Sequence, residues 1–385
     1  MRRAPVIGVI CVGLALVAGG GCGGGGSPDA SGADAASDSP SSLLSDGGSP
    51  SPSLPDGGSS LPDGGSPSHA DSGPASSDGG GAGDAAGSGL VRVPSFGSNP
   101  AGLTMYEYVP ASVPPNAPLV LVMHGCSQGA ADMVAMGWDG VADAAKFYVV
   151  YPEQVAANNA LLCFDWFGSS ATLARGTGEN LSIKQMVDEM AADYSIDPHR
   201  VFVTGFSAGA AEALLMLADW PDVFAGGAAL SGIPYGCASS VTEAESCMEP
   251  GKSQTAAAWG ALVQAADTGF AGPFPRVSLW HGTADGTVAP ANLTAEVAQW
   301  TDVLGVSQTA SGNDTVAGFP HATYASDGGA VVVESYEITG MDHDVPVDPA
   351  RGCGTTGTYF VDEKLCAAKA IAGFFGIAGA ADGGP

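Results

Sequence analysis

Three runs in this 385-residue chain are apolar without a break: PLVLVMH at residues 118–124, FYVVYP at 147–152 and VFVTG at 201–205. A strand that alternates apolar and polar residues has one wet face, whereas an unbroken apolar run suits a strand covered on both faces, as in a parallel sheet. Residues 225–230, 277–280 and 331–338 read as further strands. Helical patterns lie between them. Ser182 and Gln185 are spaced as a capping box that would open a helix toward Tyr194. Residues 211–220 are strong helix formers stopped by Pro221, and residues 292–304 place Leu293, Val297, Trp300 and Leu304 on one stripe. The alternation predicts an α/β fold, a mostly parallel central sheet with helices on both faces.

The chain ahead of this pattern differs in kind. Arg2 and Arg3 precede an apolar stretch at residues 6–18 that is short for a membrane span, so residues 1–22 read as an export signal. Cys22 stands where a lipoprotein cysteine stands, although Gly19 replaces the larger apolar residue such signals prefer. Both a lipid-anchored chain and an ordinary cleaved one fit. Residues 23–89 are built mainly from Ser, Pro, Gly, Ala and Asp, with DGGS recurring at Asp46, Asp56 and Asp63 and no aromatic residue. Such a segment cannot bury enough apolar area to offset chain entropy, which predicts a disordered acidic tether. From Leu90 onward aromatic and branched residues run throughout, and residues 90–385 are expected to form one large domain.

The formal net charge of −28 disfavours nucleic acid and anionic lipid as partners. Beyond Cys11 and Cys22 lie Cys126, Cys163, Cys237, Cys247, Cys353 and Cys366, an even set that in an exported chain reads as disulfides. Six cysteines allow about 15 pairings. Proximity favours Cys237–Cys247 and Cys353–Cys366, leaving Cys126–Cys163, but the sequence does not choose. No C-x-x-C or H-E-x-x-H pattern occurs, so neither a metal nor another cofactor is expected.

G-x-S-x-G, the pattern of a hydrolase nucleophile, occurs twice, around Ser127 and around Ser207. A nucleophile elbow needs a strand, a sharp turn between small residues and a helix that starts at once, plus an earlier strand whose loop supplies an oxyanion amide. Ser207 follows VFVT, lies between Gly205 and Gly209, and precedes the helix former AAEALLMLADW, with LVMHG upstream. For Ser127 the helix starts later, and only LTMYEYV lies upstream. Ser207 is therefore the expected nucleophile. The loop at His124–Gly125–Cys126 takes the other role, its Cys126 amide joining that of Ala208 as the oxyanion hole. The side chains of His124 and Ser127 read as a buried imidazole and a turn hydroxyl.

A serine hydroxyl needs a histidine to take its proton, and that imidazole needs a carboxylate. In the α/β-hydrolase order Ser, Asp, His, the partners sit beyond later strands. Asp285 follows the strand RVSLWHG, whereas Asp302 falls on a helix and Asp314 in a loop. His343 follows the last convincing strand, and His321 precedes it. The expected relay is Ser207, Asp285 and His343.

The segments HGCSQ, YPEQ, CFDWF, RGTGENLSIKQMV, IDPHRVFVTGFSAGA, WPDVFAGGAALSGIPYGCA, WHGTADGTVAP and GMDHDVPV resemble the polyhydroxybutyrate (PHB) depolymerase family of esterases, which includes feruloyl and acetylxylan esterases. The resemblance runs from about Leu90 to Phe375. It implies a secreted α/β-hydrolase whose relay falls on the same three residues, with HGCSQ as the oxyanion loop. It also sets CFDWF near the site, where Trp166 is either an apolar wall for the substrate chain or a core tryptophan. No polymer-binding module is read after Phe375, which counts against attack on a crystalline solid.

The chain is expected to cleave a polyhydroxyalkanoate polyester or its oligomers through an acyl-enzyme, or alternatively feruloyl or acetyl esters on plant cell-wall polysaccharide. A serine peptidase on this fold would carry a propeller or lid for which the chain has no room. A catalytically dead surface protein would lack a relay member, and none is missing.

Overall fold

The computed structural model describes residues 89–169 and 173–377. The export signal, Cys22 and all of the tether except Gly89 lie outside the described residues. In chain order the elements begin with β1 (Val91–Val93), β2 (Thr104–Tyr108), β3 (Ala117–Met123), the short α1 (Ala130–Met133), α2 (Trp138–Ala145) and β4 (Tyr148–Glu153). There follow α3 (Gly178–Asp193), β5 (Ile196–Phe206), α4 (Ala208–Asp219), β6 (Gly226–Leu230), α5 (Val241–Met248) and α6 (Ala256–Gln264). The last part holds β7 (Arg276–Gly282), α7 (Ala291–Val303), β8 (Gly312–Val316), β9 (Phe319–Ala325), β10 (Val331–Ile338), β11 (Val345–Val347), β12 (Phe360–Asp362) and α8 (Ala367–Phe374).

Ten strands form one sheet in the order β1-β2-β4-β3-β5-β6-β7-β10-β9-β8. The six from β4 to β10 pair in parallel, and antiparallel strands close both edges. The unbroken apolar runs have the consequence foreseen for them. Every residue of β3 is buried, with Leu119, Leu121 and Met123 facing one core and Val120 and Val122 the other. The first core is closed by α3, α4 and α7 through Ile183, Met186, Leu214, Leu293 and Trp300. The second is closed by α1, α2 and α8 through Met133, Trp138 and Ile371.

Helix α4 is buried along its whole length. It lies so close to β6 that a side chain at Gly227 would meet Leu217 at 2.6 Å. This fixes the helix that follows Ser207 against the middle of the sheet.

Two local expectations are corrected. Ser182 does not cap α3, which begins a turn earlier at Gly178; its hydroxyl donates to the Gly178 carbonyl and accepts from the Ala101 amide. Gln185 bonds the Asn99 amide and the Ser98 hydroxyl, so the pair ties the helix to the loop before β2. Asp314 is not in a loop. It lies on β8, which forms with β9 an antiparallel hairpin that extends the sheet beyond β10.

The structure pairs Cys126 with Cys163, Cys237 with Cys247, and Cys353 with Cys366, the set favoured by proximity.

Candidate active site

Ser207 stands between β5 and α4 with φ 56° and ψ −121°, a conformation that costs a side-chain-bearing residue energy and is held only where its surroundings determine it. The neighbouring glycines make the turn possible. A side chain on Gly205 would collide with the Gly209 carbonyl, and one on Gly209 would lie 2.5 Å from the carbonyls of Met123 and His124. The turn is thereby pressed against the end of β3. A Cβ on Gly125 would come within 3.1 Å of the Ser207 Cβ, so the loop after β3 passes directly beside this serine.

His343 follows β10 and Asp285 follows β7, neighbouring parallel strands whose carboxyl ends share one edge of the sheet. His343 Nε2 lies 2.9 Å from Ser207 Oγ, and His343 Nδ1 lies 2.8 Å from Asp285 Oδ2. The structure thus joins the three residues read from the sequence in one hydrogen-bonded line. The other oxygen of Asp285 accepts the amides of Thr287 and Val288 at 2.9 and 2.8 Å. Burial alone would raise this carboxyl. Hydrogen bonds from His281 and His343, the charge of His343 and the Val288 amide outweigh that, and they hold it well below the usual carboxylate range. An ionised Asp285 fixes the Nδ1–H tautomer of His343, which leaves Nε2 free to accept from the serine hydroxyl.

The loop after β3 is held from several sides. His124 is fully buried, and its Nε2 accepts the Gln154 amide at 3.0 Å, so Nδ1 carries the proton that reaches the Gly125 carbonyl at 2.7 Å. Burial depresses its pKa to about 4, which keeps the ring neutral. Gln128 Oε1 accepts the Gly125 amide, and the Cys126–Cys163 disulfide ties the loop to the segment after β4. Among the described residues, no protein group accepts from the amides of Cys126 or Ala208.

Ser127, the competing serine, is exposed in a turn where its amide donates to the Leu161 carbonyl. No histidine bonds its hydroxyl among the described residues. His321 is engaged elsewhere, with Asp314 at 2.7 Å and Glu334 at 3.2 Å. Trp166 is buried in a cluster with Ala208, Ala211, Trp259 and Val288, against the first turn of α4.

Sequence reasoning missed His281. Its Nε2 is 2.9 Å from the Val288 carbonyl and 3.4 Å from Asp285 Oδ2. The signal was its place four residues before the aspartate, in WHGTAD. Between α3 and α4 lies a cavity of about 280 Å³ bordered by Asn180 and by Asp165, Glu179 and Glu212, acids the sequence did not single out. Among the described residues no three His, Cys, Asp or Glu side chains are arranged to hold a metal ion.

Residues 103–317 match a family model described as esterase PHB depolymerase. Poly(3-hydroxyalkanoate) depolymerase C of Paucimonas lemoignei is 51% identical over 293 residues, covering 75% of this chain and 70% of that protein. Feruloyl esterase B of Talaromyces funiculosus is 33% identical over 267 residues, 67% of this chain and 74% of that one. Among solved structures, the acetyl xylan esterase from Aspergillus awamori superposes with a TM-score of 0.64 at 26% identity, over 75% of this chain and 99% of that chain.

Proposed function

The chain belongs to the PHB depolymerase family of esterases, and from that premise we propose that it is an exported serine esterase cleaving a polyhydroxyalkanoate polyester or its oligomers, with Ser207, His343 and Asp285 as its relay. Carboxylic-ester hydrolysis follows from the family. The observation that carries the residue assignment is the line Ser207–His343–Asp285, with contacts of 2.9 and 2.8 Å.

In this reading His343 Nε2 takes the Ser207 proton as Oγ attacks the ester carbonyl. The tetrahedral oxygen is received by the amides of Cys126 and Ala208, each worth about 3 kcal/mol of barrier in sites of this kind. His343 then protonates the leaving alcohol, and the acyl group remains on Ser207. Water, deprotonated by the same imidazole, releases it. Asp285 keeps its charge throughout and stabilises the imidazolium at each stage.

The 51% identity to a polyhydroxyalkanoate depolymerase favours a polyester substrate. The second reading, a feruloyl or acetylxylan ester, is favoured by the relatives at lower identity and by the superposition. Trp166, buried beside Ala208, serves as support for the acyl side in either case. Three disulfides support an oxidising compartment. With them goes the division into an export signal at 1–22, a tether at 23–89 and a hydrolase domain at 90–385, the chain being released or retained through Cys22. The test offers purified protein amorphous polyhydroxybutyrate, methyl ferulate and acetylated xylan, with Ser207→Ala as blank. Hydroxybutyrate alone among the products supports the polyester reading; ferulate or acetate alone replaces it with the second.

A further inference from the structure

Tyr359 occupies a position its residue type does not favour. Residues 357–360 form a tight turn in which the Gly357 and Phe360 backbones bond each other, at 3.0 and 3.3 Å. Tyr359, third in the turn, has φ 65°, where glycine or asparagine is the usual occupant and a bulky side chain is strained. The turn is fixed in place. Phe360 is buried on β12, which pairs with β11 just after His343, and the Val345 amide donates to the Tyr359 carbonyl at 2.8 Å. The Cys353–Cys366 disulfide closes the surrounding loop.

The ring held at this cost is not a core residue. Tyr359 is 36% exposed, and among the described residues its hydroxyl bonds no protein group. It meets the His343 imidazole edge-on, with centroids 6.2 Å apart, and tilts against Phe206 at 5.8 Å. Among the described residues it is the one exposed aromatic side chain in ring contact with the relay. Strain retained at an exposed residue beside reacting groups points to a contact with substrate.

Its place also defines which part of the substrate. The imidazole hands its proton to the leaving alcohol, so the alcohol departs past His343, along the side that Tyr359 borders. We propose that Tyr359 is a specificity-determining residue that binds the alcohol-side portion of the scissile ester. On the polyester reading above, that portion is the next aliphatic repeat unit of the chain. An aromatic face covers such a unit by apolar contact without requiring a hydrogen bond.

The test compares two esters with the same acyl group and different alcohols, ethyl 3-hydroxybutyrate and the linear dimer of 3-hydroxybutyrate, which has one ester bond. Tyr359→Asn removes the ring with a residue that accepts the left-handed conformation, and Tyr359→Phe keeps the ring. The expected result is a fall of about tenfold in the dimer-to-ethyl-ester ratio of kcat/KM for Tyr359→Asn, mostly through KM, and a ratio within about twofold of wild type for Tyr359→Phe. Equal losses on both esters would show a merely structural role beside His343 and overturn the proposal, as would an unchanged ratio. Should wild type turn over neither hydroxybutyrate ester, the polyester reading fails separately. The same ratio is then read with ethyl acetate and an acetylated xylo-oligosaccharide, where a selective fall supports the role of Tyr359 and an equal or absent one overturns it.

Discussion

Nε2 of His281 lies 3.4 Å from Oδ2 of Asp285. That oxygen also receives His343 Nδ1 at 2.8 Å, so one carboxylate oxygen sits between two imidazoles. His281 also donates to the Val288 carbonyl, and the Val288 amide donates back to Asp285 Oδ1. The imidazole therefore braces the turn that aims the carboxylate. His281→Ala should lower kcat/KM by about tenfold, with KM little changed, and His281→Gln, which keeps a donor, should recover part of the loss. A fall in both variants through KM alone would remove the bracing role.

The acids around and behind α4 make stability depend on pH. Burial raises Glu179 and Asp219, each to about 7, and raises Glu212 well above its ordinary value. Each is more easily protonated in the folded chain than in the unfolded one. For Glu179 and Asp219 the contribution is therefore full below about pH 4 and is lost as pH rises through about 7, and Glu212 acts in the same direction. Asp285 has the opposite sign, since its carboxyl is held low and its contribution disappears only as pH falls below its ordinary value of 3.8. The melting temperature should be higher near pH 5 than near pH 8, and Glu179→Gln should flatten that slope. A melting temperature that climbs from pH 5 to 8 would contradict this.

The Cys126–Cys163 disulfide ties the loop bearing one proposed oxyanion amide to the segment that carries Phe164 and Trp166. Replacing both cysteines by serine should destabilise the fold by roughly 2–4 kcal/mol and lower kcat as well. Removing Cys237–Cys247 in the same way should lower stability with a smaller effect on turnover. Calorimetry and initial rates on both double variants distinguish the two outcomes.

Gly209 has no room for a side chain, whose Cβ would lie 2.5 Å from the carbonyls of Met123 and His124. Gly209→Ala should fail to accumulate as folded protein or should melt many degrees lower. A variant that melts like wild type would show that β3 and the turn move apart more easily than their packing implies.

What could be read in the sequence follows what is local along the chain. The strand runs ending before Gly125, Ser207, Asp285 and His343 are one-dimensional signals, and in a parallel sheet the carboxyl ends of neighbouring strands meet at one edge. That is why residues 136 positions apart, Ser207 and His343, could be brought together on paper. The β8–β9 hairpin was missed because Asn313, Asp314 and Pro320 break the apolar alternation that marks a strand. The start of α3 was missed because GTGEN reads as a turn, its helical state being imposed by the buried contacts of Asn180 and Ile183. Tyr359 depends on what stands opposite it in space, and no spacing in the chain encodes that.

The central claim is that Ser207, and not the serine of the other G-x-S-x-G segment, attacks the ester. The most direct measurement is the initial rate of hydroxybutyrate release from the linear dimer of 3-hydroxybutyrate by wild type, Ser207→Ala and Ser127→Ala at equal folded concentration. The account predicts a loss on the order of 10⁶ in kcat for Ser207→Ala and a rate near wild type for Ser127→Ala. A dead Ser127→Ala beside an active Ser207→Ala would contradict it.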